Sequence, residues 1–436
     1  MSQTKQNGSI IAIITMFFLY AMISFVTNLA APIGVVMKND PEVGGSNMLA
    51  MLGNFMNFFA YLFMGIPAGK MLTKVGYKKT ALIGIAVGFI GILVQFISGF
   101  ESLVGYVDNV IYLLGAFISG FSVCILNTVV NPMLNLLGGG GNRGNQLNLV
   151  GGTLNSLSGT MTPMLVGALI GEVTPKTDFV EINLVLYIAM AIFVGAFFAL
   201  LFIPIKDPEI GKVTAETKFE HSPWAFRHFL LGVLAIFFYV GVEVGIPGTL
   251  NFYIADTTEK GAGLLANAAA IGGFVAGTYW LLMLVGRMCS SLIAGKVSSR
   301  QLMLITSSVG IILILCAIAT PKTVTVSMPV FTGSSFEMVV VPISAMFLVL
   351  CGLCTSVMWA SIFNLATEGL GKYTAQASGI FMMMVVGGGV LPLVQNYIAD
   401  TTGYMISYIV PLIAVAYMFY YALAGCKNVN KDIPVE

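Results

Sequence analysis

Residues 229–255 read FLLGVLAIFFYVGVEVGIPGTLNFYIA, an apolar stretch in which Glu243 is the single charged residue. About 20 apolar residues in a row suffice for a helix to cross a hydrocarbon core of about 30 Å, because a helix pairs its own backbone polar groups. The stretch therefore predicts a transmembrane helix. It also places one acid and one proline, Pro247, well inside the membrane.

The same apolar character runs through the whole chain of 436 residues. Its composition is 57% hydrophobic and 9% charged, with a mean hydropathy of +0.92, whereas about a quarter of the residues of a soluble domain are charged. A soluble fold could not bury so much apolar surface, so we expect an all-α membrane protein. The 20 Lys and Arg nearly balance the 19 Asp and Glu and form no basic cluster, so we expect no nucleic-acid partner.

Apolar runs divide the chain into two sets of six predicted spans, separated by the longest charged stretch at residues 206–228. We predict an N-terminal six-helix bundle at 1–205, a cytoplasmic linker at 206–225, and a C-terminal six-helix bundle with a short cytoplasmic tail at 226–436. The predicted spans are 10–36, 47–70, 80–100, 109–137, 147–171, 182–205, 226–255, 264–294, 301–320, 337–366, 376–399 and 404–425.

The positive charges predict the orientation. Most Lys and Arg fall in loops on the side of the N-terminus, and only Lys38, Lys176, Lys260 and Lys322 fall on the other side. Positive loops are retained in the cytoplasm. We therefore predict a multi-pass protein of the cytoplasmic (inner) membrane with both termini cytoplasmic.

Prolines recur at corresponding places in the two predicted bundles, which is typical of transporters built from repeats. A proline has no N–H, so it frees the carbonyl four residues earlier and loosens the backbone. We expect hinge or backbone roles for five prolines. The matched motifs are Asn28-x-x-x-Pro32 with Glu243-x-x-x-Pro247 and Gly159-x-x-x-Pro163 with Gly388-x-x-x-Pro392, and the fifth proline is Pro132.

Glu243 is the one acid that the predicted topology places in the middle of a span. A charge there costs about 2.5–3.5 kcal/mol, so intramembrane acids usually serve a function. Its carboxylate and the carbonyl freed by Pro247 could bind Na⁺, and the carboxylate alone could take up a proton. We therefore predict Glu243 as a cation-coupling site for H⁺ or Na⁺, with no other cofactor or metal. The alternative is a protonated Glu243 that bonds a neighbouring helix.

Amide and tryptophan side chains inside the spans predict a site for a polyhydroxylated ligand. Amides both donate and accept hydrogen bonds, and Asn127, Asn131 and Asn135 follow one face of a helix because they are four residues apart. Each amide could instead join helices, at about 0.6–2 kcal/mol, and each tryptophan could serve packing. The predicted substrate-binding residues are Asn28, Asn127, Asn131, Asn148, Asn155, Trp280, Trp359 and Gln395.

Five stretches carry a family resemblance over both halves: PAGKMLTKVGYKK (67–79), LNTVVNPM (126–133), QLNLVGGTLNS (146–156), FFYVGVEVG (237–245) and GLGKYTAQASGIFMMMVVGGGVLP (369–392). In this order they resemble the fucose/glucose-galactose sugar symporter group of the major facilitator superfamily (MFS). The resemblance implies twelve helices in two bundles that rock around a monosaccharide carried with H⁺ or Na⁺.

The chain also departs from that group. Fucose-type members have acids, the proton-handling candidates, where this chain has Asn28 and Asn127, and a glutamine expected in the QLNLVGG stretch is replaced by glycine. Glu243 matches the glutamate of the glucose/galactose-type YVGxE stretch. The departures weigh against fucose as the substrate.

We therefore expect a secondary active transporter, not an enzyme, that imports a monosaccharide or sugar derivative by cation symport. It would act as a monomer, with the lipid bilayer and a sugar as partners. The alternatives are an uncoupled sugar uniporter or exchanger, a carrier of an acidic or N-acetylated sugar, and a membrane sensor without transport. Arg287 is expected near a cytoplasmic helix end, so that Glu243 would stand alone.

Overall fold

The computed structural model describes residues 3–39, 44–100, 106–137, 141–170, 182–203, 221–264, 267–293, 297–370, 373–430 and 432–433. The helices of the first half are α1 Gln3–Asn39, α2 Asn47–Ala50, α3 Leu52–Val75, α4 Tyr77–Ile97, α5 Tyr106–Leu137, α6 Gly141–Ile170 and α7 Asn183–Phe202. Those of the second half are α8 Arg227–Ala255, α9 Ala268–Ile293, α10 Ser299–Ala319, α11 Ile343–Thr355, α12 Met358–Thr367, α13 Thr374–Met383, α14 Gly387–Thr402, α15 Tyr404–Ser407 and α16 Ile409–Tyr420.

Short non-α turns complete the second half. A 3-10 turn, Pro223–Ala225, precedes α8, and another, Met384–Val386, joins α13 to α14. A π-turn, Tyr421–Gly425, follows α16. The pairs α11–α12, α13–α14 and α15–α16 therefore each correspond to one predicted span.

Within the described residues, ten helical segments are long and apolar enough to cross a membrane by length and composition. The remaining two predicted spans correspond to α3 and α6, which are 24 and 30 residues long. The predicted linker, 206–225, lies mostly outside the described residues, so the domain boundary stays a prediction.

One predicted span is wrong at its start. Residues 337–342 belong to an antiparallel hairpin of β1 Thr325–Phe331 and β2 Phe336–Pro342, and the helix begins at Ile343. Glu337 therefore lies in a strand and not at the mouth of a helix. The valine-rich β2 is apolar enough to resemble a span, but its β-branched residues favour a strand, and Gly333 supplies the positive φ of 98° that the turn needs.

The two halves meet along two seams, α6 against α9 and α3 against α14. Glycines allow the close approach. A Cβ added to Gly277 of α9 would lie 2.9 Å from the Thr160 carbonyl of α6, and one on Gly389 of α14 would lie 2.9 Å from the Phe55 carbonyl of α3. Small residues at such contacts are the usual means of packing membrane helices.

Candidate functional site

A small cavity lies between the two halves, where proline-containing helices meet. Its volume is about 20 Å³, which is room for a water molecule but not for a sugar ring. None of the described residues that line it is charged. The lining residues are Thr27, Asn28 and Pro32 of α1, Asn54 of α3, Pro163 of α6, Val244, Pro247, Gly248 and Asn251 of α8, and Ala276 and Trp280 of α9.

Two of the predicted substrate-binding residues, Asn28 and Trp280, line this cavity. The Asn28 Nδ2 donates to the Ser24 carbonyl at 2.9 Å and to the Ser24 Oγ at 3.2 Å, which fixes the amide. Trp280 packs over Gly159, where an added Cβ would lie 3.2 Å from the indole. The site therefore has an amide from one half and an aromatic ring from the other.

Asn251 is a cavity residue that the sequence analysis missed. It is 2% exposed, and its Oδ1 has no hydrogen-bond partner among the described residues. Such a buried acceptor is costly unless something donates to it. A signal was present, because Glu243, Pro247 and Asn251 are four residues apart and share one face of α8.

Asn54 also lines the cavity, although it was not among the predicted site residues. Its Nδ2 donates to the Gly388 carbonyl at 2.8 Å, across the seam between α3 and α14. This bond ties the two halves together beside the cavity.

Four predicted asparagines do not line the cavity and instead bond to tyrosines. The Asn127 Nδ2 donates to the Tyr61 hydroxyl at 2.7 Å. The Tyr20 hydroxyl donates to Asn131 and to the Asn148 Oδ1, the latter at 3.3 Å, and the Asn155 Nδ2 donates to the Tyr20 carbonyl at 3.2 Å. These amides join helices of the first half, and their contact with a substrate stays a prediction.

Trp359 and Gln395 also lie outside the cavity lining. Trp359 packs edge-on against Tyr239 and Phe381, with ring centroids 6.1 and 5.8 Å apart. Gln395 is 1% exposed, and its Oε1 would lie 2.7 Å from a Cβ added to Gly245 of α8. Both side chains pack against neighbouring helices, and their contact with a substrate stays a prediction.

Glu243 does not stand alone, because Arg287 reaches it from near the end of α9. The Arg287 Nη2 donates to the Glu243 Oε1 at 3.1 Å, and the Tyr239 hydroxyl donates to the same oxygen at 2.8 Å. Arg287 lies six residues before the end of α9, but its long side chain brings the guanidinium to the middle of α8. The side chains of the pair are 14% and 13% exposed.

Arg287 also bonds across the seam between the halves. Its Nη1 donates to the Gly152 carbonyl at 2.9 Å and to the Ser156 Oγ at 2.7 Å, both in α6. A planar guanidinium can serve several acceptors at once. The ion pair of the second half is therefore attached directly to the first half.

A second ion pair closes one end of the interface, which we call the Lys38 end. The Lys38 Nζ lies 3.0 Å from the Asp256 Oδ2, and the Tyr404 hydroxyl lies 2.9 Å from the same oxygen and 2.9 Å from the Asn47 Oδ1. Burial raises the pKa of Asp256, but hydrogen bonds from Thr258 and the Lys38 ammonium outweigh it. The net pKa is below its ordinary value of 3.8, so this carboxylate stays charged near neutral pH.

Asp400 strengthens the closure at the Lys38 end. Its carboxylate accepts hydrogen bonds from the Ser46 Oγ at 2.7 Å, the Asn47 N–H and Nδ2 at 2.8 and 2.7 Å, and the Met48 N–H at 3.0 Å. Asp400 belongs to the second half and its donors belong to the first. We call this set of contacts, with Lys38, Asp256 and Tyr404, the Lys38 lock.

The family profile of the Major Facilitator Superfamily matches residues 13–392. The chain belongs to the Major Facilitator Superfamily. The predicted family, the all-α membrane fold and the expectation of a transporter rather than an enzyme are thereby confirmed. This MFS chain is a multi-pass membrane protein, whereas the membrane that holds it and its orientation stay predictions.

Relatives of this MFS chain are similar over its full length. It is 29% identical over 435 residues to a glucose/galactose transporter of Brucella abortus, covering 98% of this chain and 96% of that protein. It is 22% identical to the L-fucose-proton symporter of Escherichia coli, covering 94% and 91%. A crystal structure of the E. coli fucose:proton symporter matches with a TM-score of 0.68 at 18% identity, covering 95% of this chain and 98% of that one.

The four matched prolines of this MFS chain do not interrupt the helices that contain them. α1, α6, α8 and α14 continue through Pro32, Pro163, Pro247 and Pro392, and the first three of these line the cavity. Pro132 falls within α5, but its side chain lies outside the described residues. A hinge role for these prolines stays a prediction.

Proposed function

We propose that this MFS protein imports a neutral monosaccharide or sugar derivative by cation symport. The observation that carries the proposal is the uncharged cavity between the halves, in which amides from α1, α3 and α8 lie near the Trp280 indole. Amides bind hydroxyl groups, and an indole can cover the apolar face of a sugar ring. The names of the full-length relatives support the same substrate class.

The lining disfavours an acidic sugar as the substrate. Arg287 reaches the middle of α8, but Glu243 and two acceptors of α6 already occupy its guanidinium. A sugar carboxylate would have to displace Glu243 to reach it.

We propose the Glu243–Arg287 pair as the coupling site and favour H⁺ over Na⁺. A Na⁺ ion at the Glu243 carboxylate would be repelled by the Arg287 guanidinium, because the Arg287 Nη2 lies 3.1 Å from the Glu243 Oε1. A proton instead removes the negative charge and releases Arg287 from Glu243. Because Arg287 also holds Gly152 and Ser156 of α6, its release changes a contact between the two rocking halves.

The Lys38 lock supports alternating access. It closes one end of the interface, so the sugar must reach the cavity from the opposite end or after the lock opens. The predicted orientation would place the lock on the outer side of the membrane, so this conformation would load or unload from the cytoplasm.

Exchange in proteoliposomes tests the substrate class. Vesicles loaded with unlabelled sugar should take up labelled D-glucose, D-galactose or an N-acetylated hexose by counterflow, whereas glucuronate should not enter. Counterflow of glucuronate alone would contradict a neutral substrate. The absence of counterflow for every sugar would favour a membrane protein that does not transport sugars.

Asn251→Ala should weaken sugar binding, because its buried carbonyl oxygen would lose a bond to a sugar hydroxyl. One such bond contributes about 0.5–1.5 kcal/mol, so we expect up to about a tenfold increase in KM with little change in maximal rate. Counterflow at graded sugar concentrations measures this. Asn183→Ala in α7, remote from the cavity, is the matched control; an equal KM for both variants would exclude Asn251 from the site.

Asp400→Asn should open the Lys38 end, because an amide cannot replace both oxygens of a carboxylate that accepts four hydrogen bonds. Bonds to a charged group contribute about 1.5–3 kcal/mol each, so the open population should rise by at least about tenfold. A Thr27→Cys probe in the cavity should then react faster with an impermeant maleimide applied at the Lys38 end. Exposed Asp432→Asn is the control, and equal labelling in the two variants would contradict the lock.

A further inference from the structure

A buried tyrosine hydroxyl meets the Glu243 carboxylate inside α8. Tyr239 is four residues before Glu243, so the two side chains lie on the same face of the helix, one turn apart. The Tyr239 side chain is fully buried, and its hydroxyl donates to the Glu243 Oε1 at 2.8 Å. Because both residues belong to one helix, this hydrogen bond does not depend on how the two halves of the protein are placed.

The ring of Tyr239 is held in place by other aromatic side chains. It packs edge-on against Trp359 of α12, with ring centroids 6.1 Å apart. Trp359 in turn packs edge-on against Phe381 of α13, at 5.8 Å. Edge-to-face contacts of this kind give packed rings a preferred orientation. The aromatic packing therefore directs the Tyr239 hydroxyl at the carboxylate.

The two carboxylate oxygens of Glu243 have different surroundings. Oε1 accepts from the Tyr239 hydroxyl and from the Arg287 Nη2, whereas no donor among the described residues reaches Oε2. A proton on Oε1 would point toward two groups that already donate to that oxygen, so Oε2 is the oxygen that can take up a proton. Oε1 then becomes the carbonyl oxygen of the acid, which still accepts hydrogen bonds.

The other side chains around this carboxylate leave Tyr239 and Arg287 as its two donors among the described residues. The hydroxyl of Tyr279, a neighbour on α9, is paired with the Thr355 Oγ1 at 2.9 Å. Gln395 of α14 and Trp359 of α12 also border α8, and neither side chain ionises. The nearby ionisable groups on other helices are Tyr20 of α1, Tyr279 and Arg287 of α9, and the Cys351 and Cys354 thiols of α11 beside Tyr279.

The two donors respond differently when Glu243 takes up a proton. A hydrogen bond to a charged acceptor is roughly twice as strong as the same bond to a neutral one, so the Tyr239 bond weakens but remains. Arg287 loses the attraction between opposite charges, while its bonds to Gly152 and Ser156 of α6 are unchanged. Tyr239 therefore keeps the carboxyl group in place when Arg287 is released.

We propose that Tyr239 is a positioning residue of the coupling site, which directs the proton to the Glu243 Oε2 and sets the pH at which that proton binds. The proton comes from water and forms an O–H bond with Oε2, and no other covalent bond forms or breaks. The hydroxyl of Tyr239 donates throughout and is not itself ionised. This role rests on the proposed coupling at Glu243 and adds the residue that orients its carboxyl group.

Infrared spectroscopy of the intact protein in phospholipid vesicles tests this role, because a protonated carboxyl group has an absorption band of its own. The difference between the native protein and Glu243→Gln isolates the Glu243 band, which is followed from alkaline to acid pH. Tyr239→Phe keeps the ring but removes a donor that favours the charged form. With Tyr239→Phe/Glu243→Gln as its reference, we expect the midpoint of this variant to rise by about 1 pH unit.

Tyr279→Phe is the matched control, because this buried tyrosine bonds to Thr355 and not to Glu243, so its midpoint should equal that of the native protein. Equal midpoints for the native protein and Tyr239→Phe would overturn the proposal. An equal rise in Tyr279→Phe would also overturn it, because the loss of any nearby hydroxyl would then suffice. A Glu243 band that is absent at every pH would exclude a proton at this site altogether.

Fluorotyrosine incorporated at position 239 replaces Tyr239→Phe if that variant fails to fold. A ring fluorine makes the hydroxyl a stronger hydrogen-bond donor, so the midpoint should then fall, and an unchanged midpoint would overturn the proposal. The infrared midpoint does not depend on sugar uptake. A rise in Tyr239→Phe without H⁺-driven accumulation by the native protein would therefore keep the positioning role and reject the proposed symport.

Discussion

Glu243→Gln is expected to abolish accumulation of sugar while leaving exchange intact. One coupled charge at 100 mV supplies about 2.3 kcal/mol, which corresponds to roughly a fifty-fold concentration ratio. A glutamine cannot take up and release a proton, so the ratio should fall to about 1. Because the substituted amide would still donate and accept hydrogen bonds near the cavity, counterflow should continue. Steady-state uptake and counterflow in the same proteoliposomes measure the two effects.

The loss of one charge from an ion pair must be separated from the loss of coupling. Glu243→Gln leaves Arg287 without its carboxylate partner, so the double variant Glu243→Gln/Arg287→Gln restores neutrality and should be better folded but still unable to accumulate sugar. Glu259→Gln, in a loop at the Lys38 end, is the control and should accumulate normally. Full accumulation by Glu243→Gln would remove Glu243 from the coupling site.

Arg287→Gln is expected to have the second-largest effect, because it removes three donated bonds at once. Two of them reach Gly152 and Ser156 in the other half, and the third reaches Glu243. Leaving one member of a buried ion pair unpartnered costs about 3–5 kcal/mol, and these side chains are only 13–14% exposed. We expect a lower melting temperature in detergent and a transport rate at least tenfold below that of the native protein.

Arg287→Lys separates the charge from the geometry of the guanidinium. An ammonium keeps the positive charge beside Glu243 but lacks the planar fork. We therefore expect Arg287→Lys to regain most of the thermal stability and little of the transport rate. Arg227→Gln at the exposed start of α8 is the control. Native transport by Arg287→Lys would show that only the charge matters.

The Glu243–Arg287 ion pair shows what a sequence can and cannot predict. Glu243 was identifiable because an acid in the middle of a span is costly. Arg287 was not, because its backbone lies only six residues from a helix end. The length and direction of a side chain, rather than the position of its Cα, decide which charges meet, and these depend on helix packing.

The asparagines show a similar limit. Asn127 and Asn131 share a helix face, and so do Glu243, Pro247 and Asn251, because both sets have a spacing of four. The first face meets tyrosines of neighbouring helices, whereas the second face borders the cavity. Periodicity identifies a polar face but not the partner of that face.

The hairpin shows where hydropathy fails. The fold class and most spans were predictable from the lengths of the apolar runs, because a run of sufficient length can cross a bilayer as a helix. β2 is as apolar as a span, so the same measure extended the tenth predicted span back to residue 337. The β-branched residues of β2 favour a strand, and its pairing with β1, which hydropathy does not measure, makes residues 336–342 a strand.

The most direct test of a cation-coupled sugar carrier is uptake by the native protein in proteoliposomes with H⁺ and Na⁺ gradients imposed separately. The proposed mechanism predicts that an inward H⁺ gradient drives labelled sugar tens of times above its external concentration, and that an equal Na⁺ gradient gives only equilibration. Sugar that only equilibrates under both gradients would contradict coupling at Glu243 and establish a passive carrier.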